Sequence, residues 1–203
     1  RLCFDQDHDW CPTMLNNGRV LFARWEYTDT PHSNTRMLFH MNPDGTEQME
    51  YYGSNSYWPN SMFFARQIPG KPDMFISTIT GHHSNAKGGA LCLFDVSKGR
   101  HEADGAVQFI TGRGKPVEPL VIDALHRAYS PMFYHPYPLS DKYFLVSAQL
   151  SSSSNCSASS TSPSRVFLPW AAAAHCPSSS WSSISASSAA SERAMGATGV
   201  MSP

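Results

Sequence analysis

From residue 32 to residue 135 seven histidines recur, His32, His40, His82, His83, His101, His126 and His135, and they are the densest set of side chains able to do chemistry. Neutral imidazole is the commonest metal ligand among side chains and titrates near neutral pH. His32 follows Asp29 in the loop after one strand-like run, and His82-His83 follows the matching run of a second, similar segment. Equivalent loops of stacked repeats lie close together, so Asp29, His32, His82 and His83 are candidates for holding a metal ion or a polar ligand. Histidines that only hydrogen-bond neighbouring loops would read the same way. Cys11 could join such a cluster or serve as a buried core thiol. Glu26 could act as a general acid, but no partner carboxylate stands at a defined spacing. Neither Ser130 nor Ser147 sits in a G-x-S-x-G elbow, and no phosphate-cradling glycine loop is found; Gly112-Arg113-Gly114-Lys115 is a polar, basic loop.

The elements that must position these residues are strands. Short runs rich in Val, Ile, Phe, Tyr and Trp are punctuated by turn signals at Asn17-Gly18, Pro43-Asp44-Gly45 and Pro69-Gly70. Trp10-Cys11-Pro12-Thr13-Met14 leads into a run over 19–27, then Arg36–Met41, a tight turn, and 48–52, which predicts a four-stranded antiparallel meander. A second copy starts at Tyr57-Trp58-Pro59 and runs through 73–79, 90–95 and 107–110. A third starts at Tyr129 and reaches the run 142–148, after which no further strand and glycine turn are legible. Pro12, Pro59 and Pro131 mark corresponding points of the three copies. Within the first copy Arg24, Glu26 and Thr28 alternate with Trp25 and Tyr27, which suits an ion pair across one face of a strand.

Four strands per unit at this repeat length predict an all-β fold, a partial β-propeller of about two and a half four-stranded blades. The blades fall at about 8–53, 57–111 and 128–150, within a domain over 1–150. Two and a half blades do not close a ring, so the chain is expected to be an excerpt of a larger propeller, with an upstream part and later blades absent.

The segment 151–203 differs in kind. Ser and Ala supply 29 of its 53 residues, and only Arg165, Glu192 and Arg193 are charged. Two readings stand: a disordered Ser/Ala-rich low-complexity tail, or out-of-frame translation of a GC-rich gene. Its longest apolar run, Val166–Cys176, is too short to span a bilayer and is interrupted by Pro169.

Composition excludes more than it assigns. A net charge of −1 and a pI near 6.8 leave no basic footprint for nucleic acid or anionic lipid. No charged start followed by an apolar stretch marks a signal peptide. The cysteines Cys3, Cys11, Cys92, Cys156 and Cys176 form no C-x-x-C pair. Cys3 and Cys11 could pair in an oxidising compartment, or both be free thiols.

The stretch from Asp9 to Asn60 resembles proteins related to the hydrazine synthase alpha subunit. The likeness is carried by Asp9-Trp10, Gly18-Arg19-Val20, Arg24-Trp25-Glu26-Tyr27-Thr28-Asp29, Leu38-Phe39-His40-Met41-Asn42-Pro43-Asp44-Gly45-Thr46 and Tyr57-Trp58-Pro59-Asn60. Gly81-His82-His83, the run 98–105 and His135-Pro136-Tyr137-Pro138 extend it over nearly all of 5–149. The Pro-turn-strand pattern is also similar, more distantly, to TolB-like propeller repeats. The resemblance implies a propeller, an exported or periplasmic setting, and a link to redox chemistry through c-type haem in further domains. No C-x-x-C-H haem attachment occurs in this sequence, so no cofactor is expected on these residues themselves. The function that follows is a scaffold or ligand-binding module of an exported, hydrazine-synthase-alpha-like protein, whose partners are other domains or subunits. The alternative is part of a haem- or metal-dependent oxidoreductase whose active site other domains complete.

Overall fold

A computed structural model describes residues 1–5, 7–26, 35–53, 55–83, 87–112, 114–122 and 131–149, together with the backbone of 164–169. Among the described residues every regular element is a strand. Turn chemistry sets where the chain reverses. In Asn42-Pro43-Asp44-Gly45-Thr46 the Asp44 carboxylate accepts from the Thr46 amide (3.0 Å) and hydroxyl (2.7 Å). Gly45 supplies the left-handed φ of 88° that the turn requires. Asp95 does the same for Ser97, accepting from its amide at 3.0 Å and its hydroxyl at 2.5 Å.

These turns connect two antiparallel meanders. The first comprises β1 (Asp9–Met14), β2 (Val20–Trp25), β3 (Arg36–Met41) and β4 (Met49–Tyr52). The second comprises β5 (Ser61–Ile68), β6 (Lys71–Thr80), β7 (Ala90–Asp95) and β8 (Ala106–Phe109). One parallel bridge, Arg36 to Ser61, joins them into a single eight-stranded sheet. A smaller sheet holds β9 (Met132–Pro138), β10 (Tyr143–Gln149) and β11 (Ser164–Pro169) in the order β11-β10-β9. It meets the large sheet where Gly89 and Phe133 exchange backbone hydrogen bonds of 2.8 and 3.2 Å. A side chain at Gly88 or Gly89 would collide with the Tyr134 ring or the Ile79 carbonyl, so glycine is required for this approach.

Packing follows the same division. One core cluster, including Phe22, Leu38, Tyr52, Trp58, Phe75 and Phe94, lies between the two meanders. A second, including Ile68, Ile76, Leu91, Phe133, Phe144 and Val146, joins the second meander to β9 and β10. The loop before β8 locks the connection between meanders. The Glu102 carboxylate accepts from the amides of Tyr57 (2.8 Å) and Trp58 (3.1 Å), and the Tyr52 hydroxyl donates to the Glu102 carbonyl at 2.8 Å.

Two expectations are corrected. The segment after residue 150 does not lack a strand: β11 pairs with β10 from Tyr143–Pro169 to Ala148–Ser164. Its Val166-Phe167-Leu168 is the one run there of strong strand formers, and a run too short to cross a membrane is long enough for a strand. Nor do the three prolines occupy equivalent places. Pro59 lies two residues before β5 and Pro131 immediately before β9, whereas Pro12 lies inside β1, where its counterparts are Ala65 and Pro136. Proline fits there because the strand ladder is already interrupted and no amide is missed.

His40 on β3 carries a pH dependence. Its Nδ1 accepts from Arg19 Nε at 3.0 Å, and Arg19 is held in place by Asn42 (2.6 Å) and Glu47 (3.3 Å). Burial, then the Arg19 and Arg100 charges, lower the imidazole from 6.5 to about 4. The unfolded chain binds this proton near pH 6.5 and the folded chain only near pH 4, so stability falls as pH falls through that window. The half-exposed ring is screened by solvent, so the expected loss is about 1 to 2 kcal/mol. Unfolding free energies of wild type and His40→Gln from urea titrations between pH 7 and 4.5 should therefore diverge by that amount, with the wild type falling more steeply.

Candidate functional site

The first strand of each repeat is bulged in the same way. On β1, Trp10 faces Ala23 and Thr13 faces Leu21; on β5, Phe63 faces Thr78 and Arg66 faces Ile76; on β9, Tyr134 faces Ser147 and Tyr137 faces Leu145. In each case one extra residue is inserted opposite the neighbouring strand, the definition of a β-bulge. The residue after the first of each pair takes a left-handed conformation: Cys11 at φ 53°, Phe64 at φ 55° and His135 at φ 49°. None is glycine, and each conformation costs on the order of 1 kcal/mol or more that the surrounding structure must offset.

The three bulges converge on one open cleft of about 210 Å³, with Cys11, Phe64, Arg66, His135, Pro136 and Tyr137 in its wall. The Phe64 and His135 rings lie with centroids 4.0 Å apart. The Phe64 amide hydrogen-bonds the partly buried Cys11 sulfur. Burial raises the Cys11 thiol, and the Phe64 amide and the Arg66 charge oppose that shift. Arg66 is fixed at the rim, donating to Thr13 Oγ1 at 2.9 Å with its guanidinium 5.9 Å from the centre of the Tyr137 ring. A second cleft of about 290 Å³ shares His135 and Tyr137 with the first.

Of the residues singled out in the sequence, Asp29 and His32 lie outside the described residues. His82 and His83 lie just beyond β6, their rings 4.7 Å apart and edge to face. Trp25 packs edge-on to His82 at 5.2 Å. Arg36, over the Trp25 ring at 4.7 Å and the Trp10 ring at 5.2 Å, donates to the His82 carbonyl at 2.6 Å. Lys87 reaches the same carbonyl at 3.5 Å. Cations and aromatic rings thus surround His82.

Among the described residues the one group of three side chains near enough to share a metal ion is Cys3, Asp5 and Asp9. Arg24 already occupies it, at 2.9 Å from Asp5 and 3.5 Å from Asp9. Burial first, then the hydrogen bond the thiol donates to the Asp9 carboxylate and the charges of Asp9 and Asp5, push the Cys3 thiol up to about 11. Burial and Asp5 likewise raise the Asp9 carboxyl. Arg24 also meets Glu26 at 3.2 Å and Gln48, and stacks on Phe22 and Phe39. This group therefore pins the N-terminal segment to β2. Cys3, Cys11 and Cys92 are all free thiols.

Cys11 and His135 are far apart in sequence, and only the bulges bring them to one cleft. No family model, no curated protein and no solved structure matches the chain. No helix among the described residues is long and apolar enough to cross a membrane.

Proposed function

We propose that the chain is part of a β-propeller that acts as a scaffold and ligand-binding module of an exported protein related to the hydrazine synthase alpha subunit. The observation that carries this reading is the triplicate bulge. Blades of a propeller place their first strands around a common axis, and β1, β5 and β9 carry the same irregularity at the same register and meet at one cleft. Bulges are concentrated next to functional sites because they re-aim side chains out of the sheet.

In this reading each meander is a blade, the smaller sheet belongs to a third, and further blades complete the ring. The cleft then forms one mouth of the axial channel, which is where propellers gather their ligands. The hydrazine-synthase-alpha-like and exported character rest on the sequence resemblance, carried by runs such as Leu38–Thr46 and Tyr57–Asn60. A structure of the protein in its native assembly tests the reading: the ring either closes around β1, β5 and β9 or it does not.

A further inference from the structure

We infer that the bulge cleft selects small carboxylate-bearing ligands, with Arg66 as the selecting charge and Cys11 and His135 in its wall. The inference rests on the reading of the cleft as a ligand-facing mouth and names the class of ligand it takes.

Charge distribution supports the choice. Among the described residues no acidic side chain lines the cleft, while Arg66 and His135 do. Arg66 makes no ion pair among the described residues, in contrast to Arg19, Arg24 and Lys71, each of which meets a carboxylate. Thr13 takes one guanidinium nitrogen and the Tyr137 ring lies 5.9 Å from the group, which leaves the remaining N–H donors without a side-chain acceptor among the described residues. A planar fork of N–H donors pairs with a carboxylate through two parallel hydrogen bonds, which a neutral ligand cannot match. The volume of about 210 Å³ suits a compact molecule rather than a polymer.

Cys11 provides the readout. Iodoacetate and iodoacetamide differ in little but charge, and each alkylates a thiolate by forming a carbon–sulfur bond as iodide leaves. The ratio of their rates at one cysteine cancels that cysteine's thiolate fraction and reports how its surroundings treat an anion. Cys3, beside Asp5 and Asp9, is the internal reference. Rates are read by peptide mapping of the intact, folded protein at low ionic strength.

The iodoacetate-to-iodoacetamide ratio at Cys11 is expected to exceed that at Cys3 by about five-fold or more, and to decline with added salt. In Arg66→Gln it should drop about five-fold, with Arg66→Lys retaining most of it. Arg66 is exposed, so both variants should keep the wild-type circular dichroism. A ratio at Cys11 no higher than at Cys3, a ratio unchanged in Arg66→Gln, or a Cys11 inert to both reagents would each overturn the inference. None of these outcomes depends on ring closure, so failure of the ligand class and failure of the propeller reading remain distinct.

Discussion

Arg24→Met should be the most damaging exchange of a single charge in the chain, lowering stability by about 3 kcal/mol. The Arg24 side chain is 9% exposed, and its guanidinium meets Asp5 at 2.9 Å, Glu26 at 3.2 Å and Asp9 at 3.5 Å. Its faces lie on the rings of Phe22 (5.1 Å) and Phe39 (4.9 Å). Methionine preserves the contact with those rings but leaves three carboxylates facing one another without a cation. Breaking a buried pair from one side costs about 3 to 5 kcal/mol, and the lower figure applies because these carboxylates keep some solvent contact. A domain with roughly 5 to 15 kcal/mol of total stability would feel that strongly.

The pH dependence identifies the cause. Without Arg24 the carboxylates bind protons more readily folded than unfolded, so the deficit of Arg24→Met should shrink as pH falls from about 6 to 4. That trend is opposite in sign to the His40 effect. Adding Asp5→Asn and Asp9→Asn should restore much of the loss at pH 7. A deficit that is flat with pH and not relieved by the added amides would mean that packing on Phe22 and Phe39, rather than charge, is the source.

Phe94→Ala is expected to cost about 3 to 5 kcal/mol. The ring is fully buried, stacks on Phe75 at 4.8 Å and 7°, and meets Tyr52 edge-on at 4.8 Å and Trp58 at 6.2 Å. Tyr52 and Trp58 come from β4 and the segment that follows it, whereas Phe75 and Phe94 come from β6 and β7. The cavity would open at the junction of the two meanders, which among the described residues are joined by one β-bridge and the Gly53-to-Arg100 backbone hydrogen bond. The urea midpoint should fall for both meanders together, followed through tryptophan fluorescence for the first and Cys92 labelling for the second. Phe94→Leu should retain more than half of the lost stability. Separate transitions for the two probes in wild type would show that the aromatic junction does not couple them.

Much of this architecture is legible in the residues. β3 and β7 were expected at the limits they occupy, since apolar runs bounded by Asn-Pro-Asp-Gly and Ser-Lys-Gly turns leave the chain few alternatives. The candidate site is far less legible. A bulge advances the alternation of a strand by one residue, and β1, β5 and β9 are the strands in which it does so. The side-chain period of two, the main signal for a strand, is therefore broken in the elements that build the cleft. Left-handed φ at a glycine can be anticipated, but at Cys11 and Phe64 nothing in the residue type announces it. Pro12 and Pro136, each next to such a residue, are the usable signal. Aligning Pro12 with Pro59 and Pro131 instead hides the register that the three repeats share. β11 was missed for a different reason: six residues of strand are submerged in a Ser/Ala-rich background whose composition argues for disorder.

The proposed propeller requires β1, β5 and β9 to be the inner strands of a ring. A cryo-electron-microscopy or crystal structure of the protein in its native assembly measures this directly. The predicted result is a closed ring of blades in which Cys11, Phe64 and His135 face a common axis and the cleft beside Arg66 opens at one end of it. An eight-stranded sheet that stays open, or three bulges that face bulk solvent or a second packed layer, would contradict it.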